Sequence, residues 1–97
     1  MDVEVSGKNL HLTRGLIQTA EDKVARLGRY VGGVERAEVR FTEEKNPRIA
    51  DKDVCNLVVV GARRRVIRVK AAGPAPGAAL DRVFGKAIHR VEKLKVH

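Results

Sequence analysis

The sequence has no tryptophan, a single cysteine and three aromatic residues, Tyr30, Phe41 and Phe84. A core without large rings has to be aliphatic, and the 43% hydrophobic content, mostly Val, Leu, Ile and Ala, can supply one. So few aromatics argue against a platform that stacks single-stranded bases. The lone Cys55 cannot close an internal disulfide, which fits a reducing, cytoplasmic setting. No apolar run reaches the roughly 18 residues of a membrane span. The opening Met1–Ser6 is acidic and alternating, unlike a signal peptide.

Catalytic signatures are also missing. His11, His89 and His97 have no Cys or carboxylate neighbours at metal-ligand spacing. Cys55 sits among aliphatics, the usual place of an inert buried thiol. No GxSxG, GxGxxG or P-loop pattern occurs, and Gly7-Lys8 lacks the upstream glycine of a phosphate-binding loop. Asp51 and Asp53 flank Lys52 in a loop and suggest no acid/base pair. The expectation is a binding protein rather than an enzyme, without cofactor, metal or small-molecule substrate.

What the sequence has is positive charge, unevenly placed. Residues 1–53 hold ten Lys/Arg and ten Asp/Glu, so they sum to zero. Residues 54–97 hold ten Lys/Arg against Asp81 and Glu92, and carry the whole net charge of +8. A one-sided excess attracts polyanions, although basic surfaces also serve solubility alone.

Ninety-seven residues suit one domain, 1–97. Val3 and Val5 alternate with polar residues in a short strand that turns at Gly7-Lys8-Asn9. Thr13 is placed to cap a helix from about Arg14 to Val31, with Leu16, Ile17, Ala20, Val24, Leu27 and Val31 on one face. Gly32-Gly33 should end it. A strand over about Glu35–Glu43 turns Ala37, Val39 and Phe41 to one side. After a polar loop come strands at about Val54–Val60 and Arg64–Ala71, joined as a hairpin near Gly61-Ala62-Arg63. Gly73–Gly77 reads as a stiff breaker before a helix from about Ala78 to Lys95, whose buried stripe is Leu80, Val83, Phe84, Ala87, Val91 and Leu94. The order β-α-β-β-β-α, with one apolar face per element, predicts an α+β two-layer fold. Both helices pack on one face of a four-stranded sheet, and the crossover helix makes strands 1 and 2 parallel if they are neighbours.

At 100° per residue, Arg82, Lys86, Arg90 and Lys93 share one exposed stripe of the second helix, bordered by His89. Like charges at this spacing repel and cost a few tenths of a kcal/mol per pair. No stabilising role is evident for them, whereas a phosphate backbone would suit them. On the first helix Lys23, Arg26 and Tyr30 lie beside the apolar stripe. If the helices pack side by side, the two rows bound one basic groove. Lys23 and Arg26 also read as snorkelling side chains, and Tyr30 as an aromatic at the core's edge. Arg63, Arg64 and Arg65 at the hairpin tip read either as a second RNA contact or as a solvated tip. On the open sheet face Arg40, Arg68 and Lys70 mix with Val58, Val60 and Val66, which suits a protein or dimer contact or ordinary β-propensity.

These residues resemble the ribosome hibernation promoting factors and ribosome-associated translation inhibitors, once called sigma-54 modulation proteins. Val5-Ser6-Gly7-Lys8-Asn9-Leu10-His11-Leu12-Thr13 is similar to that family's ITGKNIEVT opening. Lys23-Val24-Ala25-Arg26-Leu27 with Tyr30 follows its KxxKLxKY pattern. Val39 and Glu44-Lys45 match its second strand, Ala79-Leu80-Asp81 and Lys86 its AID…DKL, and Lys93 and Lys95 its lysine-rich end. The resemblance implies the same β-α-β-β-β-α fold, similar to double-stranded-RNA-binding domains. It also implies binding in the small-subunit channel used by mRNA and by A- and P-site tRNA, which silences idle ribosomes in stationary phase or stress. The implied partners are the small subunit, the 70S ribosome and its 16S rRNA. Lys23, Arg26, Arg29, Lys86, Lys93 and Lys95 would contact phosphates, and the helical wheel adds Arg82 and Arg90, with Tyr30 beside them. The sequence departs from the family at Pro74–Asp81, where DMYAAID is usual, and at Gly85, where an Asp is usual. It ends at His97, without the C-terminal dimerisation domain of long hibernation factors. Direct ribosome pairing is therefore not expected; a short form would silence single ribosomes or cooperate with a second hibernation factor, with weak self-association as a further possibility. The alternatives are a module for some other structured RNA, and a regulatory domain that binds protein through its open sheet face. Steep salt dependence separates RNA binding from apolar docking.

Overall fold

The computed structural model describes residues 2–8, 12–30, 34–46, 48–61 and 65–95, leaving aside the side chains of Tyr30 and of residues 92–95. Four strands, β1 (Asp2–Lys8), β2 (Arg36–Glu43), β3 (Asp53–Val60) and β4 (Val66–Gly73), alternate with two helices, α1 (Arg14–Tyr30) and α2 (Pro76–Lys95), in the order β1-α1-β2-β3-β4-α2. Asn9, His11, Gly32-Gly33 and the hairpin-tip residues Ala62, Arg63 and Arg64 lie outside the described residues.

The sheet order is β1-β2-β3-β4. The α1 crossover makes β1 parallel to β2, and the two following pairs are antiparallel. Register follows from alternation. Val5, Val39, Leu57 and Val69 form one cross-strand row on the core face, and Val3, Ala37, Val59 and Ile67 form the next. A slip of one residue would move every one of these to solvent. Both helices cover this face. Ala20, Val24 and Leu27 of α1 and Leu80, Val83, Phe84, Ala87 and Val91 of α2 join Phe41 and Leu57 in one buried cluster. No polar or charged residue is buried among the described ones.

Local chemistry sets the ends of the helices. The Thr13 Oγ1 accepts from the Leu16 N–H at 3.1 Å, and its carbonyl accepts from Ile17, a side-chain N-cap. Two expectations are corrected. Gly7 and Lys8 extend β1 instead of turning it. The breaker at 73–77 shrinks to Pro74-Ala75, because Gly73 ends β4 and Pro76 starts α2. Proline suits a first helical position, where its missing N–H would have had no partner. Gly73 is there for space: a Cβ on it would lie 2.7 Å from the Ala79 amide nitrogen. The short connection folds α2 straight back along β4.

Candidate nucleic-acid interface

Arg82, Lys86 and Arg90 recur every four residues, so they descend one side of α2. That side overhangs the edge of β4. Arg82 Nη1 donates to the Ala72 carbonyl at 2.8 Å, Lys86 Nζ to the Lys70 carbonyl at 3.0 Å, and Arg90 Nη1 to the Arg68 carbonyl at 2.6 Å. Helix and strand run in opposite directions with nearly matched periods. Four helical residues rise about 6.0 Å, and two strand residues about 6.7 Å. One cation therefore meets each alternate carbonyl of the edge strand. An uncovered edge is a template for pairing with another chain, and here the cations cover it. This corrects the expectation that the stripe has no stabilising role.

The heads stay exposed all the same. A guanidinium carries five N–H donors and an ammonium three, more than these bonds use. Arg82 spends one further contact on Asp51, at 2.9 Å between two half-exposed side chains. The result is a row of cations pinned at a fixed spacing along the sheet's edge, each with donors left for an outside acceptor.

The first helix contributes differently. Lys23 Nζ lies 2.8 Å from Asp81 Oδ1, bridging α1 to α2. Asp81 is one residue from Arg82, hence about 100° around the helix. Lys23 thus meets the flank of α2 turned towards α1, whereas Arg82, Lys86 and Arg90 occupy the flank turned towards β4. The single groove between the helices, expected from side-by-side packing, does not form from these residues; α2 itself separates the two sets. Its crest between them carries Gly85 and His89, both exposed, and nothing lies within 4 Å of a Cβ built on Gly85. Arg26 and Arg29 are exposed on α1. The side chains of Tyr30, Lys93 and Lys95 lie outside the described residues, as do Arg63 and Arg64. Arg65 is exposed, and its carbonyl accepts from the Gly61 N–H at 2.7 Å.

Among the described residues, no group of His, Cys, Asp and Glu is arranged to hold a metal ion, and no helix is long and apolar enough to cross a membrane. Cys55 is buried and free; burial pushes its thiol up to about 12. Asp53 faces Glu43 across the β2–β3 ladder. Its carboxyl is raised above the ordinary range, first by desolvation and then by the Glu43 charge. Two like charges at a strand end are not an acid and base placed about a substrate.

Sequence reasoning missed the carbonyls of Arg68, Lys70 and Ala72 as partners of the stripe, Asp51 as a counter-charge of Arg82, and Asp81 as the partner of Lys23. The signal was present in the short connection. Two residues between β4 and α2 force antiparallel packing, and cations four apart then fall beside strand residues two apart.

Comparison with known proteins places this geometry. The family model described as sigma 54 modulation protein / S30EA ribosomal protein matches residues 3–96. No curated protein matches. A crystal structure of the Thermus thermophilus Protein Y N-terminal domain superposes with a TM-score of 0.78 at 26% identity, covering 97% of this chain and 99% of that one. The structure of a ribosomal subunit interface protein from Coxiella burnetii superposes with a TM-score of 0.81 at 16% identity over the full length of both chains, a likeness of fold. With a family model spanning nearly its whole length and the same β-α-β-β-β-α architecture, the chain belongs to the sigma 54 modulation protein / S30EA ribosomal protein family.

Proposed function

We propose that this chain is a cytoplasmic ribosome-binding translation inhibitor of the hibernation type, acting as one domain over residues 1–97. It works by occupancy and not by catalysis. Its site is the channel of the small subunit used by mRNA and by A- and P-site tRNA, and its ligand there is the phosphate backbone of 16S rRNA. Arg82, Lys86 and Arg90 make the main contact, extended by Lys93 and Lys95 along α2 and by Lys23, Arg26, Arg29 and Tyr30 on α1. Arg63, Arg64 and Arg65 make a secondary one.

The observation that carries this reading is the pinned row on α2, in a chain of this family. Three exposed cations at about 6 Å intervals, fixed by backbone carbonyls, present a preorganised ladder to a phosphate chain. Each phosphate they neutralise releases a counterion. Preorganisation spares the side-chain ordering cost that loose lysines would bear, about 0.5–1.5 kcal/mol each.

Sedimentation tests the reading. The purified chain should co-migrate with small subunits and with 70S ribosomes, and initiator tRNA with mRNA should displace it. A chain left at the top of the gradient, or bound without competition, contradicts the proposal.

A further inference from the structure

The open face of the sheet holds a concavity lined by Lys8, Glu38, Arg40, Thr42, Asn56, Leu57, Val58, Arg68, Val69 and Lys70. Its form follows from register. Arg40, Asn56 and Lys70 make one cross-strand row, and Glu38, Val58 and Arg68 the next. The central strand β3 supplies the short floor, Asn56 and Val58. Long cationic side chains stand on both banks, Lys8 and Arg40 on one and Arg68 and Lys70 on the other. Two strand spacings separate β2 from β4, about 10 Å. The shape is a trough along β3 with positive walls.

Its charge is available. Lys8, Arg40, Arg68 and Lys70 are all exposed. Among the described residues no carboxylate pairs with any of them. The one acidic lining residue, Glu38, is held by Arg36. The outer bank is also joined to the α2 row, because Arg90 and Lys86 bond the carbonyls of Arg68 and Lys70. The α2 cations therefore anchor on the same β4 residues whose side chains form the outer bank.

We propose that this trough is a second nucleic-acid site, which takes one single-stranded segment of RNA backbone. The inference rests on the functional reading above and adds a second contact to the same partner. Phosphates lie against the two cationic banks, and the Asn56 amide and Thr42 hydroxyl meet phosphate or ribose oxygens. A trough about 10 Å wide admits one strand and not a duplex. Among the described residues no aromatic side chain is on this face, so bases are not stacked and sequence is not read. An acidic protein segment is the competing occupant; RNA is favoured because cationic side chains line both banks and the floor beside Val58 carries the polar Asn56.

The test uses a fluorescent 12-nucleotide homopolymeric RNA and the full chain. Arg40→Ala with Lys70→Ala should weaken binding at least tenfold at low salt and flatten its salt dependence, with the melting temperature unchanged. Lys8→Ala with Arg68→Ala, on the same two banks, should reproduce the loss. Lys86→Gln with Arg90→Gln should reduce oligonucleotide binding less than either pair. An oligonucleotide that ignores the wild-type chain, or binds folded trough variants as well as wild type, overturns the proposal. The same holds if the trough variants lose an acidic peptide while keeping RNA. Trough variants that lose the oligonucleotide in a chain that never binds ribosomes would sink the ribosomal reading and leave the trough standing.

Discussion

At the scale of single residues, three positions carry sharp consequences. Gly85 lies mid-helix on the exposed crest of α2 with open space where a Cβ would go. Gly85→Ala should raise stability by about 1 kcal/mol in denaturant unfolding, because glycine loses more backbone freedom in a helix. Gly73 is the opposite case. A Cβ there would press on the backbone of Ala78 and Ala79, and Gly73→Ala should destabilise by about 1–3 kcal/mol as an overpacked site. Equal responses of the two variants would mean that α2 does not pack on β4 as described. Cys55 makes a chemical prediction. Its thiol is pushed up to about 12 from an ordinary 9.0. The native chain should resist alkylation at pH 8, and unfolding should release one reactive thiol. The neutral thiol is favoured in the folded state, so its stabilising contribution is complete below pH 9 and is lost as pH rises towards 12. A pH titration of unfolding free energy reads that decline.

At the scale of elements, alternation and helical period were enough to place all four strands and both helices. Val3 and Val5, then Ala37, Val39 and Phe41, declared their faces by a period of two, and Leu80 through Val91 by 3.6. The errors fell at boundaries, where one residue serves two elements. Gly7 reads as a turn residue but sits in β1 against Leu12. Proline and glycine at 74–77 read as a loop, yet Pro76 is a first helical residue and Gly77 its neighbour. The fit of α2 to β4 was only half legible: the short connection points to antiparallel packing, but the match of the two rises shows in no single element. That fit predicts that Arg82→Ala, Lys86→Ala and Arg90→Ala together expose the carbonyls of β4. The triple variant should self-associate with rising concentration in sedimentation equilibrium, through its bared edge. A variant that stays monomeric would show that the side-chain cover is dispensable.

At the scale of the whole molecule, an asymmetry along the chain becomes an asymmetry in space. The sheet order is the chain order, so among the described residues the first half forms one side, and β3, β4 and α2, which carry Arg68, Lys70, Arg82, Lys86 and Arg90, form the other. The charge split therefore pointed to a polyanion before any contact was known. The sequence could not show how the cations divide. Helical wheels find a stripe but not its neighbour, and β4, not α1, turned out to stand beside it. The central claim is that this pinned row meets phosphates. Its most direct measurement is the association constant for purified small subunits as a function of salt, for wild type and for Lys86→Gln with Arg90→Gln. Glutamine removes the charge and keeps a polar N–H donor on a shorter side chain. The account predicts a variant with unaltered melting, binding at least tenfold weaker, and a log–log salt slope shallower by about 1–2, near 0.7–0.9 per lost phosphate contact. Superimposable salt curves for the two proteins would contradict it.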